Sequence, residues 1–513
     1  MDLETLLSYP WRIMLPEFVI VITAALLSLL DLFWKEQASR RPLAWIALAG
    51  IGLAVLFLVI NAGQPVQEIL YETFRLDGFA SAFKLIFLLG AAIVFLIALD
   101  RDFGQQLPYQ GEYYYLILTA VLGAMIAASS ADLITLFVGI ELLSISSYVL
   151  VAIRKHNLKA NESALKYVIS GGIATAVTLF GFSYIYGLTG STNLFVIQER
   201  LSQGVNDGLL PLIALALLVS FVGLTFKLSV VPYHMWAPDV YQGASTPVTA
   251  FLSVVSKGAG FALVIRFLMV TLQGMADSEM ILWENLAGLL VTVLSVLAAL
   301  SMIIGNTLAM RQTNLKRLLA YSSIAQAGYL LVPVAAGIAL LQTGEVSASN
   351  LFHIVLFYLA AYLFMNLGAF ALVQLIGKET EDIRGLAGLY RRAPGKALAM
   401  TLFLASLAGI PLTAGFVGKY YILMGAVGAN LYALAAVMVI TTVISYYYYF
   451  GLAVQMYMRE PEVDQPLTAP SSLNIVLSVC VIGTLLLGLL PNLALDLIQT
   501  QFNLLEVFLP YSH

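Results

Sequence analysis

The sequence contains a single cysteine and only four histidines among 513 residues. The lone Cys480 excludes an internal disulfide and a cysteine-ligated cluster held by this chain alone. The histidines lie far apart and show neither haem nor zinc spacing. The motifs G-x-G-x-x-G, G-x-x-x-x-G-K-S/T and H-E-x-x-H are absent as well. The sequence therefore predicts no cofactor or metal site in this chain. If the chain belongs to a redox enzyme, the electrons would have to pass through other subunits.

Charged residues are scarce. They make up 11% of the chain, hydrophobic residues make up 60%, and the mean hydropathy is +0.91. Soluble domains carry roughly 25% charged residues. This composition is typical of a polytopic membrane protein, and a net charge of -4 gives no indication of nucleic-acid binding. The first apolar run begins near Ile13 without a basic segment before it, so we do not interpret it as a cleaved signal.

The apolar runs predict an all-α fold of about fourteen transmembrane spans, because a spanning helix needs about 20 mostly apolar residues. The loops between them are short. We number the spans one to fourteen in chain order, and their predicted ranges are 13–34, 42–61, 79–99, 113–130, 132–152, 163–187, 209–231, 247–271, 285–307, 315–338, 350–376, 396–425, 431–457 and 472–498.

Loop charges predict the orientation of these spans. If the N-terminus lies on the P side of the membrane (the lumen or periplasm), most loop lysines and arginines fall on the opposite, N side. The P-side loops then carry only Arg12, Arg75 and Arg200. An excess of Lys and Arg is typical of the cytoplasmic face of a membrane protein. Fourteen spans then place both termini on the P side.

Five charged residues lie inside long apolar runs, and they are Glu141, Lys166, Lys227, Lys257 and Lys419. A charge at the middle of a bilayer costs at least about 3 kcal/mol, so such residues usually face a bundle interior or a hydrated path. The rise of a helix places Glu141 and Lys257 near the mid-plane. Lys166 lies close to a helix end, where its stem can reach the N side. Carboxylate and amine side chains can both bind and release a proton, so this set of residues predicts proton translocation.

Two spans carry signals for a broken helix. Span seven runs into Pro232, and span twelve contains Pro411 among glycines. Broken backbone at membrane depth survives only where it is buried in protein or lines a wet cavity. Lys227 precedes the first break and Lys419 follows the second, so each predicted break has a buried lysine nearby.

The two broken spans cross the membrane in opposite senses, which is typical of inverted repeats with a functional site at their interface. Spans four to eight would then pair with spans nine to thirteen. The predicted parts are an N-terminal three-helix segment at 1–112, a first repeat at 113–271, a second repeat at 272–458 and a last helix at 459–513.

Several of these residues could have a structural role instead of a role in proton transfer. Glu141 could be a neutral acid that ties two helices together, and Lys227 could serve carbonyls freed by the break at Pro232. His234 either caps that break or relays protons, since its titration range suits proton transfer.

Other polar residues are interpreted as structural. Lys84, Arg266 and Lys316 lie near predicted helix ends, where we expect them to anchor the chain at the membrane interface. The run Tyr446–Tyr449 is interpreted as interfacial or packing, and not as a cofactor site.

Three stretches resemble the antiporter-like membrane subunits of respiratory complex I. They are GIELLSISSYVL with Glu141, FKLSVVPYHMWAPDVYQGASTPVTAFLSVVSKGAGF with Lys227 and Lys257, and AGIPLTAGFVGKYY with Lys419. Within that family the chain is most similar to the N-type subunit. Its opening, MDLETLLSYPWRIMLPEFVIVITAALLSLLDLFWKEQ, resembles subunit 2 of the cyanobacterial and chloroplast NAD(P)H dehydrogenase complex.

The resemblance implies fourteen transmembrane helices in two inverted five-helix repeats with discontinuous helices seven and twelve. It also implies proton pumping coupled to plastoquinone reduction in a thylakoid membrane, with ferredoxin or NAD(P)H as the donor and both termini on the lumenal side. Partner subunits would hold the quinone and the iron–sulfur clusters. Other membrane-arm subunits and lipids would surround this chain.

The resemblance further implies a role for each buried charge. Glu141 matches a glutamate that pairs with the lysine of helix seven, here Lys227. Lys257 matches the lysine that links input to output, and Lys419 matches the residue of the output half. Lys166 matches a helix-six lysine of the N-type subunits.

A mechanism follows from electrostatics, since a lysine beside an ionised carboxylate is held charged. Moving Glu141 relative to Lys227 would switch Lys227 between holding and releasing a proton. Lys257, through His234 and water, would then pass the proton to Lys419. Two rival interpretations are a subunit of a multi-chain sodium/proton antiporter and a structural anchor without transport.

Overall fold

The computed structural model describes residues 9–34, 39–100, 110–206, 208–273, 280–342, 348–377, 380–461 and 465–502. Within these ranges, thirteen helices are long and apolar enough to cross a membrane. A further crossing consists of two shorter helices, Pro394–Ala408 and Ala414–Gly428. The predicted all-α fold of about fourteen spans is therefore confirmed.

Most observed spans begin and end within a few residues of their predicted ranges. In order, spans one to eleven are Trp11–Leu32, Arg41–Ile60, Gly78–Ala98, Gln110–Ala128, Leu133–Val151, Leu158–Thr189, Leu210–Leu228, Thr246–Leu272, Met280–Ala309, Leu315–Gln342 and Ala348–Ile376. Span twelve is the pair of shorter helices, and spans thirteen and fourteen are Tyr432–Met458 and Ser471–Leu489.

Short elements connect the spans. They are a two-stranded antiparallel hairpin of Gln67–Ile69 with Phe74–Leu76, the helices Leu194–Asn206, Trp236–Gly243, Leu389–Arg392 and Pro491–Gln501, and a 3-10 turn at Ile383–Leu386.

Two boundaries differ from the prediction for local reasons. Span six begins earlier than predicted because Asn157 caps it, its side chain accepting from the backbone N–H groups of Lys159 and Ala160 at 3.0 and 3.2 Å. The predicted fourteenth span is two helices. The first ends at Leu489, because Pro491 cannot continue a helix but fits the first turn of a new one.

Both predicted breaks are present. Span seven ends at Leu228, and the chain resumes as the helix Trp236–Gly243, with Pro232 in the turn between them. Span twelve stops at Ala408 and restarts at Ala414. The prediction of discontinuous helices seven and twelve is therefore confirmed.

Span eight contains a third irregularity that the sequence did not predict. Its helix widens into a π-helical turn at Leu252–Ser256, and the regular helix resumes at Lys257. Such turns are rare and frequently lie at functional sites. The irregular turn therefore directly precedes Lys257, which the sequence predicts to lie near the mid-plane.

Equivalent contacts recur in the two halves of the chain. Asp132, which caps span five, forms a β-bridge with Asn193, and Asn314, which precedes span ten, forms one with Asp382. The division into two inverted repeats at the predicted boundaries stays a prediction, and this recurrence supports it.

The core of the bundle surrounds span eight, whose residues are entirely buried. Spans three, ten and eleven are also mostly buried, whereas spans two, six, nine, thirteen and fourteen expose much of their surface. Exposed large apolar side chains such as Ile173 and Ile482 are expected where a helix faces lipid or a neighbouring subunit. The fold therefore places Lys257 at the centre of the molecule.

Candidate functional site

Lys227 lies near Glu141 but does not pair with it directly. The Lys227 ammonium donates to the hydroxyl of Ser144 at 2.5 Å, one turn along span five from the glutamate. Glu141 accepts a hydrogen bond from Thr175 of span six at 2.7 Å. Among the described residues, no ion pair joins Glu141 to Lys227, so the predicted pair is present as neighbours separated by a serine.

Lys257 is the most enclosed of the candidate residues. Its ammonium donates to the backbone carbonyl of Ser323 at 2.6 Å and also to the hydroxyl of that residue. The hydroxyl of Tyr241 lies 3.5 Å from the same serine oxygen. In the described part of the chain, no carboxylate lies within ion-pair distance of Lys257.

Lys419 serves the break in its own span. Its ammonium donates to the carbonyls of Leu407 and Ala408 at 2.9 and 3.2 Å and lies 4.6 Å from the centre of the Tyr329 ring. The carbonyls of the last helical turn have no intrahelical partner and carry partial negative charge. In span twelve a lysine therefore satisfies carbonyls freed by the break, which is the role that the sequence left open for Lys227 in span seven.

The break in span seven is satisfied differently. The Phe226 carbonyl accepts from the indole N–H of Trp236 at 3.1 Å, and Lys227 points instead to span five. His234 lies in the turn with Nδ1 at 3.3 Å from the Pro232 carbonyl. No hydrogen bond between described residues joins His234 to Lys227 or to Lys257, so the contacts present are those of a capping residue.

A polar chain begins beside the serine that holds Lys257. The hydroxyls of Ser322 and Tyr449 are 2.5 Å apart. The amide of Gln326 donates to Tyr449 at 3.4 Å and to the Leu407 carbonyl at 3.2 Å. Because Lys419 also donates to this carbonyl, the chain connects the surroundings of the two lysines.

The sequence interpretation missed the members of this chain. Tyr449 is buried and hydrogen-bonded inside the bundle, whereas Tyr447 is 70% exposed. The run Tyr446–Tyr449, interpreted from the sequence as interfacial or packing, therefore also contains a buried hydrogen-bonding residue. Gln326 carried a usable signal, since an amide inside an apolar span usually has an interhelical partner.

Lys166 lies at the edge of the bundle, away from the other lysines. Its ammonium is 2.7 Å from both Glu162 and Asp239, and the side chain is 45% exposed. Asp239 also pairs with Arg317 at 2.5 Å. Lys166 therefore reaches the surface of the bundle, and the structure does not bring it together with Lys257 or the other buried lysines. That this surface faces the N side stays a prediction.

Two expected interface anchors prove to be buried ion pairs. The Lys84 ammonium lies 2.7 Å from Glu17, and Arg266 donates two hydrogen bonds to Asp77 at 2.8 and 2.9 Å. Burial alone would raise the pKa of Asp77, but the neighbouring Arg266 and Arg75 hold that pKa below its usual range. The anchor interpretation was wrong because these cations face acidic groups on other parts of the chain.

Lys316 is also buried, contrary to the expectation that it anchors at the interface. Its ammonium lies 2.6 Å from Glu381 and donates to the Ala244 carbonyl at 3.0 Å. Its carboxylate partner follows span eleven, while Lys316 belongs to span ten. The pairing therefore depends on tertiary structure and could not be predicted from the sequence near Lys316.

Comparisons with known proteins identify the family. The profile described as "NADH:quinone oxidoreductase/Mrp antiporter, TM" matches residues 130–445. NADH-quinone oxidoreductase subunit N of Anoxybacillus flavithermus is 52% identical over 97% of this chain and 97% of its own length. Subunit N of Bacillus anthracis is 47% identical over 99% of this chain and 98% of its own.

Solved structures agree with these relatives. A chain of respiratory complex I from Thermus thermophilus with bound Aureothin superposes with a TM-score of 0.75 at 32% identity, over 95% of this chain and 100% of that one. A chain of the Mrp complex from Dietzia sp. DQ12-45-1b reaches 0.79 at 21% identity, over 96% and 97%. The second likeness shows the shared fold alone.

Proposed function

This chain belongs to the family of NADH-quinone oxidoreductase subunit N, the antiporter-like membrane subunits of complex I, and we propose that it moves protons through Lys227, Lys257 and Lys419. It is an integral multi-pass membrane subunit of a translocating oxidoreductase, and other membrane-arm subunits are its partners.

One observation supports the proposed relay more than any other. Each of the three buried ammonium groups is held by neutral oxygen atoms: Lys227 by a hydroxyl, Lys257 by a carbonyl and a hydroxyl, and Lys419 by two carbonyls. A buried charge without a counter-ion is costly. A modest change in neighbouring charge can therefore decide whether each lysine keeps its proton.

Glu141 supplies that change in the proposed cycle. Rotation of Lys227 away from Ser144 toward Glu141 would pair the ammonium with a carboxylate and hold its proton. Return to Ser144 would remove the pairing and release the proton toward Lys257. The polar chain through Tyr449 then leads to Lys419, from which the proton leaves on the P side.

We infer the electron donor and acceptor from the names of the relatives. They are subunits of NADH-quinone oxidoreductases, so we propose NADH as the donor and a membrane quinone as the acceptor, both bound in partner subunits together with the iron–sulfur clusters. The finer predictions of ferredoxin, plastoquinone, a thylakoid membrane and similarity to the cyanobacterial and chloroplast subunit find no support in these relatives. Loop charges support P-side termini as a further part of the proposal.

Purification of the native complex tests this function. We expect the chain to co-purify with the NADH-oxidising and quinone-reducing subunits, and NADH oxidation in proteoliposomes to drive protons across the membrane. A complex without iron–sulfur subunits that exchanges sodium for protons in the absence of NADH would instead identify a multi-chain antiporter.

A further inference from the structure

A buried lysine outside the proposed relay connects the N-side surface to the interior. Lys316 is 1% exposed, and its partner Glu381, at 2.6 Å, is 39% exposed. The same ammonium donates to the carbonyl of Ala244 at 3.0 Å, two residues before span eight begins. On the proposed orientation all three residues lie at the N-side end of the bundle. A carboxylate that water can reach is therefore paired with an ammonium that water cannot.

A row of hydroxyls leads inward from this pair. Ser245 is the N-cap of span eight, Thr249 and Ser253 follow it at intervals of four residues, and Lys257 comes four residues later. Residues four apart in an α-helix share one face, with about 5–6 Å between their side chains, and the π-helical turn Leu252–Ser256 widens the last interval. All four are buried. A hydroxyl both donates and accepts, so such a row can carry a proton with a water between neighbours.

The first hydroxyl of the row is unsatisfied. The Ser245 oxygen is buried and has no hydrogen-bond partner among the described residues. Leaving a buried polar group unpaired costs about 1–3 kcal/mol, so the site favours a water molecule. Deeper in the row, Thr249 donates to the Tyr241 carbonyl at 3.0 Å, and the Tyr241 hydroxyl reaches the serine that holds Lys257. The polar face thus continues from the entrance to the central lysine.

We propose that Glu381, Lys316 and the hydroxyl face of span eight form an N-side proton entrance to Lys257, separate from Glu141 and Lys227. This entrance rests on the proposed function, because it supplies the same relay. It gives the central lysine its own source of protons.

Each transfer in the entrance breaks one bond to hydrogen and forms another. A proton from N-side water binds the Glu381 carboxylate and neutralises the counter-ion of Lys316. The Lys316 ammonium then passes a proton along the hydroxyl face to the neutral amine of Lys257. Glu381 returns its proton to the Lys316 amine and restores the ion pair. One proton moves inward and no electrons are involved.

Lys316 could instead only hold the end of the helix Trp236–Gly243 in place, and this role predicts a different effect of mutation. Arg154 donates to the Gly243 carbonyl at 2.8 Å, so Arg154 and Lys316 together cap the C-terminal end of the helix Trp236–Gly243. Arginine could replace Lys316 as a cap, but its guanidinium does not release a proton in proteins. Lys316→Arg therefore separates proton transfer from capping.

The experiment compares four variants of the intact complex in inverted membranes, with assembly checked by co-purification. We expect both Lys316→Arg and Lys316→Met to slow NADH-driven proton pumping roughly tenfold or more, because a positioned proton-transfer group contributes about 10²-fold or more. Arg154→Gln, which removes only the neighbouring cap, should lose much less. Lys257→Met serves as the reference for a broken relay.

The outcomes separate the entrance from the relay. Normal pumping in Lys257→Met would overturn the proposed function and the entrance with it. An impaired Lys257→Met beside a normal Lys316→Arg would overturn the entrance alone and leave Lys316 as a cap. Loss in Arg154→Gln equal to that in Lys316→Met would likewise reduce both residues to caps.

A second measurement applies even if the Lys316 variants fail to assemble. Cys480 is buried and is the only cysteine of the chain, so an introduced thiol can be assigned by mass spectrometry of this subunit. Thr249→Cys and Ala250→Cys alter adjacent, fully buried positions, of which only the first belongs to the hydroxyl face. A small membrane-impermeant methanethiosulfonate added from the N side should label Thr249→Cys several-fold faster. Equal labelling rates would contradict a hydrated entrance.

Discussion

The Lys419 ammonium donates a hydrogen bond to the Leu407 carbonyl at 2.9 Å, across the break in its own span. The same carbonyl accepts from Gln326 at 3.2 Å, which makes it the meeting point of the broken helix and the polar chain from span ten. A group that we propose to carry protons thus also completes the hydrogen bonding of the backbone. Stability and transport should therefore be coupled at this position.

Replacing Lys419 tests that coupling. Lys419→Met leaves the Ala408 carbonyl without this donor and the Leu407 carbonyl with Gln326 alone, at a cost of about 1–3 kcal/mol for the unpaired group. We expect lower thermal stability of the complex together with lost pumping. Lys419→Arg should recover stability, because the guanidinium can donate to the carbonyls, but it should not recover pumping, because arginine does not release its proton. Recovery of pumping in Lys419→Arg would show that the residue acts only as a cap.

We expect the negative charge of Glu141, and not only its hydrogen bonding, to be essential. Glu141→Gln keeps the hydrogen bond with Thr175 but removes the charge that supports Lys227. Proton pumping and NADH–quinone turnover should both fall in the Gln variant and be retained substantially in Glu141→Asp. Equal activity of the Gln variant would support the interpretation of Glu141 as a neutral tie between helices. Both rates can be measured on the same membrane preparation.

We expect the hydroxyl of Tyr449 to be part of the proton path between Lys257 and Lys419. Tyr449→Phe removes the contact with Ser322 and the acceptor for Gln326, at a stability cost of about 0.5–1.5 kcal/mol per lost hydrogen bond. We expect an assembled complex that pumps more slowly, since the polar chain between Lys257 and Lys419 is interrupted. Tyr447→Phe removes a hydroxyl from a side chain that is 70% exposed and should leave pumping unchanged. Similar pumping in the two variants would exclude Tyr449 from the path.

The Glu17–Lys84 ion pair is expected to stabilise the fold without carrying protons. Lys84→Met should destabilise the complex by about 3–5 kcal/mol, because it leaves a buried carboxylate without its partner. The double variant Glu17→Gln/Lys84→Met should recover much of that loss. The ratio of protons pumped to NADH oxidised should stay normal in whatever complex assembles. A reduced ratio in the double variant would place this pair in the proton path.

Hydropathy predicted the spans closely because the bilayer sets both their length and their composition. The departures arose from local chemistry that hydropathy does not contain, such as the cap at Asn157 and the proline at Pro491. The breaks at Pro232 and Pro411 were predictable, since proline disrupts helical hydrogen bonding. The π-helical turn before Lys257 has no comparable residue signal in this chain.

The candidate site was less predictable than the fold. A single charge in an apolar run is visible in the sequence, but its partner belongs to another helix. Lys84 and Glu17 are far apart in the chain, as are Arg266 and Asp77, and only the folded bundle brings each pair together. The sequence therefore identified buried charges but could not separate those held by carboxylates from those held by neutral oxygens.

The most direct test of the relay is the number of protons pumped per NADH oxidised by the complex with Lys257→Met. Methionine nearly keeps the volume of lysine and removes a costly buried charge, so assembly should be preserved. The account predicts an assembled complex in which proton transfer through this subunit is roughly 10²-fold slower and the proton-to-NADH ratio falls. An unchanged ratio in fully assembled Lys257→Met complex would contradict the account, because no proton could then depend on the central lysine.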